Sequence, residues 1–424
     1  MTDSFEYLFR AIAAVARGKD VPSPGLAVQW ENVFSLAREQ TVFSLIAYAV
    51  KHQPQWVENQ SLYWQAMQKL RNRVIRETLR RDAVQQLLGS LEQQGIQPVL
   101  LKGMGLAALY AVPECRESAD VDIYVGQKQE KKAGQVFMQA GAHLVKERHA
   151  DGQESAWFHP DVGTIELHAH LFSRENREYW FTRDAEFNGI TAPFEPLKMK
   201  DGSKVWVLSV QDNALFLSFH LIKHFIRNST NLRNILDLGL FFSAYGQTVD
   251  WDVYWKKLQS LQFDGIIHAA LSACVYYGGF LPDEFPGIQL MDQETVRAFL
   301  SDVEKGGWLG MKNPQGRVES GQVYDRMLFR KRKKGSTLSY LWRKRRIGGR
   351  LLKSCFCPRE VLQEKYPYAQ RHPILLPVAW GQRLFSGLRR LANGQIRPVV
   401  LKTDLPVSPV SDERLALFRQ LHIC

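Results

Sequence analysis

Apolar residues recur every three to four positions through the first ninety residues of the chain. The spacing is helical in 5–17, 30–39 and 41–52, and 61–94 keeps nearly the same interval as one long helix. These apolar positions are interpreted as core. The pattern therefore predicts an N-terminal helical region over residues 1–94.

The pattern changes to short alternating segments after residue 95. The predicted elements are, in order, strand 97–101, helix 104–111, strand 119–125, helix 127–140 and strands near 142–149, 154–159 and 163–171. Residues 172–204 read as loop-rich. The sequence thus predicts an α/β core over residues 95–205.

Helical spacing returns after the core, where Ser209-x-x-Asp212 is a capping box that opens a predicted helix over Val210–Arg227. A helical lobe over 206–325 and a basic extension over 326–424 complete the predicted organisation. The fold class is α+β, a mixed sheet flanked by helical lobes.

Two aspartates stand one residue apart in the predicted strand 119–125. Side chains alternate along a strand, so Asp120 and Asp122 emerge on one face with Ser118, while the residues between them form an apolar face. A solvated strand face with incidental acids is one interpretation. The other is a cation site, because two crowded carboxylates repel one another and Mg²⁺ prefers carboxylate oxygens.

A second alternating segment supplies a third acid. In 163–171, Glu166, His168 and His170 share one face. If this strand lies beside the aspartate strand, three acids converge on a site for two metal ions. A zinc site is the alternative, although no cysteine or histidine cluster at ligand spacing accompanies it. Otherwise His168 is expected to contact the acids or line an acceptor pocket, and His170 to be a core or rim residue.

The order of these motifs resembles the nucleotidyltransferase superfamily of the DNA polymerase β type. The residues that carry the resemblance are Lys102-Gly103, Arg116-x-Ser118-x-Asp120-x-Asp122 and Glu166-x-His168, and the closest pattern is the poorly characterised bacterial nucleotidyltransferase family 5. The resemblance covers about residues 90–240. One departure is Gly103-Met104, where the superfamily usually has Gly-Ser or Gly-Gly.

The resemblance implies a metal-dependent enzyme that moves a nucleoside monophosphate from a nucleoside triphosphate, expected to be ATP, to an unidentified acceptor hydroxyl and releases pyrophosphate. It implies that Asp120, Asp122 and Glu166 are catalytic and bind two Mg²⁺ ions. The nucleotide-binding set is expected to be Lys102, Gly103, Arg116, Ser118 and His168. For Arg116, a phosphate ligand and a partner that fixes the aspartates are both open. A kinase is the rival enzyme class, but the chain has no Walker loop or kinase signature.

The helix predicted after the core carries further polar residues. His220, Lys223 and His224 are followed by Arg233 and Asp237. They suggest a lobe that closes over the nucleotide base or the acceptor. The alternative is a surface with an Arg233–Asp237 pair at i, i+4.

Charge is concentrated near the C-terminus. The net charge is +12, and residues 326–353 hold twelve basic residues and no acid, interleaved with apolar ones. An anionic membrane surface, a nucleic acid and a solvated basic linker are all compatible with this segment. It supports an alternative function, a non-catalytic nucleotidyltransferase-fold module that binds one of these polyanions.

Composition and the absence of certain sequence signals indicate the cellular compartment of the protein. Five scattered cysteines, a first segment without a signal pattern and no apolar run of transmembrane length predict a cytoplasmic protein, with peripheral membrane association as an option through the basic segment. Apolar residues make up 45% of the chain, which excludes wholesale disorder.

Overall fold

The structure, a computed structural model, describes residues 1–148, 152–173, 190–307, 312, 368, 377–382 and 409–423. The chain divides into two compact units, Met1–Tyr324 with Ser408–Cys424, and Asp325–Val407. In the second unit, the described residues include a helical stretch at 377–382, and the Tyr368 hydroxyl donates to Gln382 Oε1 at 2.8 Å. The basic segment 326–353 lies outside the described residues. The division into four parts at residues 94, 205 and 325 stays a prediction.

The N-terminal region is helical, as its apolar spacing predicted. Its helices are α1 (Asp3–Arg17), α2 (Trp30–Glu39), α3 (Phe43–Val50) and α4 (Gln60–Gln93). Thr2 caps the N-terminus of α1 by accepting from the Phe5 N–H, and Gly18, whose φ of 67° is left-handed, caps its C-terminus. The C-terminal half of the 34-residue α4 packs its apolar residues into the core of the sheet.

The core is a seven-stranded mixed sheet in the order β3-β4-β5-β2-β1-β7-β6. The strands are β1 (Val99–Leu100), β2 (Asp120–Tyr124), β3 (His143–Lys146), β4 (Glu154–His159), β5 (Gly163–His168), β6 (Glu195–Lys198) and β7 (Lys204–Val207). The pairs β2/β5 and β1/β7 are parallel, and the other pairs are antiparallel. The predicted α+β class with a mixed sheet is confirmed.

The two faces of the sheet differ in polarity. Val121, Ile123, Ile165 and Leu167 are buried on one face, against α4 and against α6 (Glu130–Gln139). This segregation follows the alternation in the sequence, since successive strand residues point to opposite faces. The acidic residues of β2 and β5 therefore lie on the other face.

Two predicted elements differ from the structure. The helix predicted over 104–111 is a single turn, α5 (Met104–Ala107). Turn hydrogen bonds follow it as far as Tyr110, and the Ala111 N–H then donates to the carbonyl oxygen of Ala16 instead of to a helical carbonyl. The stretch predicted as loop-rich contains β6, and β7, which begins at its last residue, was not predicted either. Pro196 interrupts the polar and apolar alternation there, and a proline is tolerated because β6 is an edge strand.

The second helical region follows the sheet. It comprises α7 (Val210–Arg227), α8 (Leu232–Tyr245), α9 (Trp251–Ser260), α10 (Asp264–Gly278) and α11 (Gln293–Gly306). Ser209 caps α7 as predicted by accepting from the Asp212 N–H. The last described helix, α12 (Pro409–Gln420), packs against α11, where the Arg414 guanidinium lies 3.2 Å from Asp302 Oδ1. Over the described residues, no helix has the length and apolarity that a bilayer crossing needs.

Candidate active site

The parallel pairing of β2 with β5 builds the centre of the site. Asp122 is the register partner of Glu166, and Tyr124 is the partner of His168. Ligand atoms of Asp122, Glu166 and His168 all lie within 4.8 Å of one another. The strand adjacency that the sequence required is therefore present, and it joins residues more than forty positions apart.

Asp122 lies at the bottom of this cluster, with a side chain that is 1% exposed. Its Oδ1 is 2.9 Å from Lys102 Nζ and 3.0 Å from His168 Nε2. Burial alone would favour the neutral acid, but the charges of Lys102 and His168 outweigh it and hold the pKa of Asp122 far below its usual range. Its Oδ2 is buried and has no hydrogen-bond partner among the described residues.

His168 links the two facing acids. Its Nε2 also lies 3.6 Å from Glu166 Oε2. Burial opposes protonation of the ring, but the hydrogen bonds to Asp122 and Glu166 raise the pKa of His168 to about 9. It is therefore an imidazolium at neutral pH. The zinc alternative combined Glu166 and His168 with His170. The compact cluster contains Asp122 instead of His170.

Asp120 lies outside the compact cluster, two residues before Asp122 on the same strand face. It pairs in register with Thr164, and its side chain is partly exposed. The Ser118 hydroxyl donates to the Asp120 carbonyl oxygen at 2.8 Å and lies 3.4 Å from Asp120 Oδ1. The structure thus brings two of the three acids into direct proximity and places the third at the edge of the same cavity.

The turn at Lys102 and Gly103 lies against β2. Gly103 has φ of +57°, and a Cβ there would lie 3.5 Å from Ser118 Oγ. The Gly105 N–H donates to the Lys102 carbonyl oxygen, so this donor of the short α5 is already used. Burial opposes the charge of Lys102, but the nearby carboxylates, Asp122 foremost, outweigh it and raise the pKa of its ammonium.

Arg116 is bound to α8 rather than to the aspartates of β2. Its Nε and Nη2 donate to the two carboxylate oxygens of Asp237 at 2.8 and 2.7 Å, and the Tyr110 hydroxyl donates to Asp237 Oδ1 at 2.7 Å. Arg233 Nη1 donates instead to the Glu117 carbonyl oxygen at 2.7 Å. The Arg233–Asp237 helix pair considered from the sequence is therefore replaced by a long-range ion pair.

A cavity of about 580 Å³ lies over the polar face of the sheet. Residues of β2, β4, β5, the Lys102–Gly103 turn, α7 and α8 line it. Four of the five residues of the predicted nucleotide-binding set line it, and His168 does not. The three predicted catalytic acids are also among the lining residues.

Glu154 of β4 is a cavity residue that the sequence analysis missed. It is the register partner of His168 and lines the cavity beside Glu166. Burial raises the pKa of its carboxyl group, and its Oε2 has no partner among the described residues. The alternation of 154–159 was visible in the sequence, but only the pairing of β4 with β5 shows which face Glu154 shares.

Arginines of α4 support the aspartate strand from outside the core motifs. Arg73 Nη2 and Arg80 Nη1 donate to the Ser118 carbonyl oxygen at 3.1 and 2.9 Å, and Arg80 Nε donates to the Val162 carbonyl oxygen at 2.8 Å. Glu77 pairs with both arginines. Their spacing of three and four residues was the available signal, since it places all three on one face of the helix.

One face of α7 lines the cavity with two histidines and a lysine. His220, Lys223 and His224 lie at positions i, i+3 and i+4, and the two imidazole centroids are 4.5 Å apart. Burial, followed by the charge of Lys223, lowers the pKa of His224 to about 3, and burial also lowers the pKa of His220. Both rings are therefore neutral at pH 7.

A mixed sheet whose parallel strands hold facing acids at the base of a cavity is the arrangement expected of a nucleotidyltransferase. A family model described as an uncharacterised nucleotidyltransferase matches residues 27–279. The chain belongs to this family.

No curated protein matches the chain. Among solved structures, the chain is similar to an antigenic nucleotidyltransferase-like protein from Paracoccidioides brasiliensis, with 15% identity, a TM-score of 0.29 and coverage of 52% of this chain and 95% of that chain. At that TM-score the likeness carries no weight for the fold or the site.

Proposed function

We propose that the protein transfers a nucleoside monophosphate from a nucleoside triphosphate, ATP being the expected donor, to an acceptor hydroxyl with release of pyrophosphate. The observation that carries the proposal is Asp122 opposite Glu166 on parallel strands at the base of the cavity. Because the chain belongs to a nucleotidyltransferase family, this pair of acids is the proposed centre of the reaction.

The donor set fits the divalent metal that a nucleotidyltransferase implies. Carboxylate oxygens are preferred by Mg²⁺, and the buried Oδ2 of Asp122 accepts no hydrogen bond from any residue that the structure describes. Asp120, Asp122 and Glu166 are the proposed ligands of two ions. When bound, Mg²⁺ would supply charge neutralisation to the phosphates and lower the pKa of the acceptor hydroxyl.

The other residues act on the site in ways that their contacts support. Lys102 and His168 keep Asp122 ionised, because each adds positive charge next to its Oδ1. The Ser118 hydroxyl fixes the backbone at Asp120. Gly103 brings the backbone close to that hydroxyl without a side chain between them, and Arg116 is proposed to hold α8 against the nucleotide side of the cavity.

The test is label transfer in the presence of Mg²⁺ and fractions of RNA, lipid and protein from a cell extract. With nucleoside triphosphates labelled at the α-phosphate, wild-type protein is expected to place label in one fraction, which identifies the acceptor class. Asp122→Ala is expected to lower this transfer by more than roughly a hundredfold, because it removes a contact worth several kcal/mol in the transition state.

The matched control is Asp161→Ala, which removes an exposed aspartate from the β4–β5 connection. It is expected to transfer label as wild type does. Entry of γ-phosphate label would instead indicate kinase chemistry. Transfer of neither label to any fraction would favour the non-catalytic binding module.

A further inference from the structure

Most lysine and arginine side chains that line the cavity already have partners within the protein. The pairs are Lys102 with Asp122, Arg73 with Glu77, Arg116 with Asp237, and Arg233 with the Glu117 carbonyl oxygen. Within the described part of the chain, the cavity-lining cations without an ion pair or hydrogen bond are Arg38 and Lys223. Arg38 is exposed and lies 5.7 Å from the Phe43 ring centroid, so Lys223 is the cation inside the cavity that remains available.

Lys223 occupies an unfavourable position unless an anion is present. It is half-buried on α7, and burial followed by the charge of Lys102 lowers the pKa of its ammonium. Glu154 and Glu166 are near enough to oppose this shift, but neither forms an ion pair with it. A cation withdrawn from water without a partner costs free energy, which a bound anion would recover.

The neighbours of Lys223 add hydrogen-bonding capacity without adding charge. His220 and His224 flank it on the same helix face, line the same cavity and are neutral at pH 7. A neutral imidazole carries one N–H donor, and an ammonium carries three. The α7 face therefore offers several donors around a single positive charge, a set suited to a group with many acceptor oxygens.

The turn at Gly103 is less able to bind such a group. The helix that follows it has only one turn, so its dipole is small. The Lys102 ammonium is held by Asp122, and the Ser118 hydroxyl by Asp120. The side-chain donors of Lys102 and Ser118 are thus engaged, whereas His220, Lys223 and His224 of α7 line the cavity without a hydrogen bond to any other described residue.

We propose that Lys223, with His220 and His224, binds the polyphosphate of the nucleotide. The identity of the ligand as a nucleotide rests on the proposed function. The β- and γ-phosphates would then lie between the α7 face and the acids of β2 and β5, and α7 rather than the Gly103 turn would determine the affinity for the triphosphate.

The test measures equilibrium binding of adenosine, AMP, ADP and an ATP analogue with a methylene group in place of the α,β-bridging oxygen, so that no transfer occurs. Calorimetric titrations in Mg²⁺ would compare wild type, Lys223→Met and Lys223→Arg. Loss of a charged donor is expected to weaken the ATP analogue roughly tenfold to a hundredfold, with a smaller effect on AMP and none on adenosine. Lys223→Arg is expected to recover most of the affinity.

Lys256→Met is the matched control, because it removes the same charge from an exposed position on α9. Equal affinities of Lys223→Met and Lys256→Met for the ATP analogue would overturn the inference. It would also be overturned if Lys223→Met weakened adenosine as strongly, or weakened a 5′-phosphorylated oligonucleotide but not the ATP analogue.

Label transfer on the same preparations separates this inference from the proposed function. Binding of the ATP analogue that depends on Lys223, together with no transfer of α-phosphate label by wild type, would leave the subsite standing and reject the proposed function. Transfer by wild type with unchanged binding to Lys223→Met would do the reverse.

Discussion

Replacing one residue of the buried Arg116–Asp237 ion pair is expected to destabilise the protein strongly. The side chains are 4% and 7% exposed. Asp237 accepts two hydrogen bonds from the guanidinium and a third from the Tyr110 hydroxyl. Arg116→Met leaves the carboxylate without the charge bound to it, and Asp237→Leu does the same to the guanidinium. In each case the remaining charge stays more than nine-tenths buried at the wall of the cavity.

The expected magnitude follows from this burial. Removing one partner of a buried pair costs about 3–5 kcal/mol, because the remaining charge stays desolvated. The double variant Arg116→Met/Asp237→Leu retains neither charge. Its destabilisation is therefore expected to fall below the sum of the two single variants by about 2 kcal/mol or more, within the range measured for residues in direct contact.

The assay is a double-mutant cycle on the free energy of unfolding, measured by urea denaturation with tryptophan fluorescence. The control cycle uses Lys305 and Glu413, an ion pair of similar length at 2.8 Å whose side chains are 57% and 63% exposed. Exposed pairs couple by about 0–1 kcal/mol. A coupling energy for Arg116 and Asp237 no larger than that of the control pair would refute the reasoning.

Three further outcomes are expected in denaturation experiments on the metal-free protein. The pKa of the His168 imidazolium is raised to about 9, so its contribution to stability is complete below about pH 6.5 and is lost as the pH rises through about 9. The free energy of unfolding of the wild type is therefore expected to decline between about pH 6 and 10, and His168→Gln is expected to flatten this decline. Gly103→Ala is expected to destabilise by about 1–3 kcal/mol because φ there is +57°, whereas Gly25→Ala, in open space without a positive φ, is expected to change little. Arg80→Met is expected to cost about 2–5 kcal/mol, because it removes two hydrogen bonds that the guanidinium donates to carbonyl oxygens and also removes packing. Arg76→Met, on the exposed face of the same helix, is expected to stay within about 0.5 kcal/mol of wild type.

Each of these expectations has a result that contradicts it. A pH dependence that survives His168→Gln unchanged would remove the imidazolium from the account of stability. Equal effects of the two glycine variants would show that the left-handed backbone is not strained by a side chain. Equal effects of the two arginine variants would mean that the carbonyl contacts of α4 contribute nothing measurable.

The parts of the fold that depend on local sequence patterns were predictable from the sequence. Alternation in β2 and β5 assigned Asp122 and Glu166 to the polar faces of their strands, and Ser209 marked the start of α7. These features depend on neighbours a few residues apart. The predicted helices of the N-terminal region succeeded for the same reason.

The remaining parts depend on contacts that no local pattern encodes. Arg116 meets Asp237 across 121 positions, so a helix-based interpretation gave Asp237 the wrong partner. Glu154 joined the site through strand pairing, and Pro196 concealed an edge strand. The sequence offered candidates for the chemistry, but the tertiary contacts determined which of them meet.

The packing of α12 on α11 has a consequence for how the polypeptide tolerates cleavage. Phe418, Leu421 and Ile423 are fully buried, and Arg414 is held by Asp302. The residues on both sides of Asp325–Val407 therefore belong to one body. A protease that cuts between residues 325 and 407 would break the backbone, but the C-terminal fragment would stay bound through the buried side chains of α12. The two fragments would therefore separate only after denaturation.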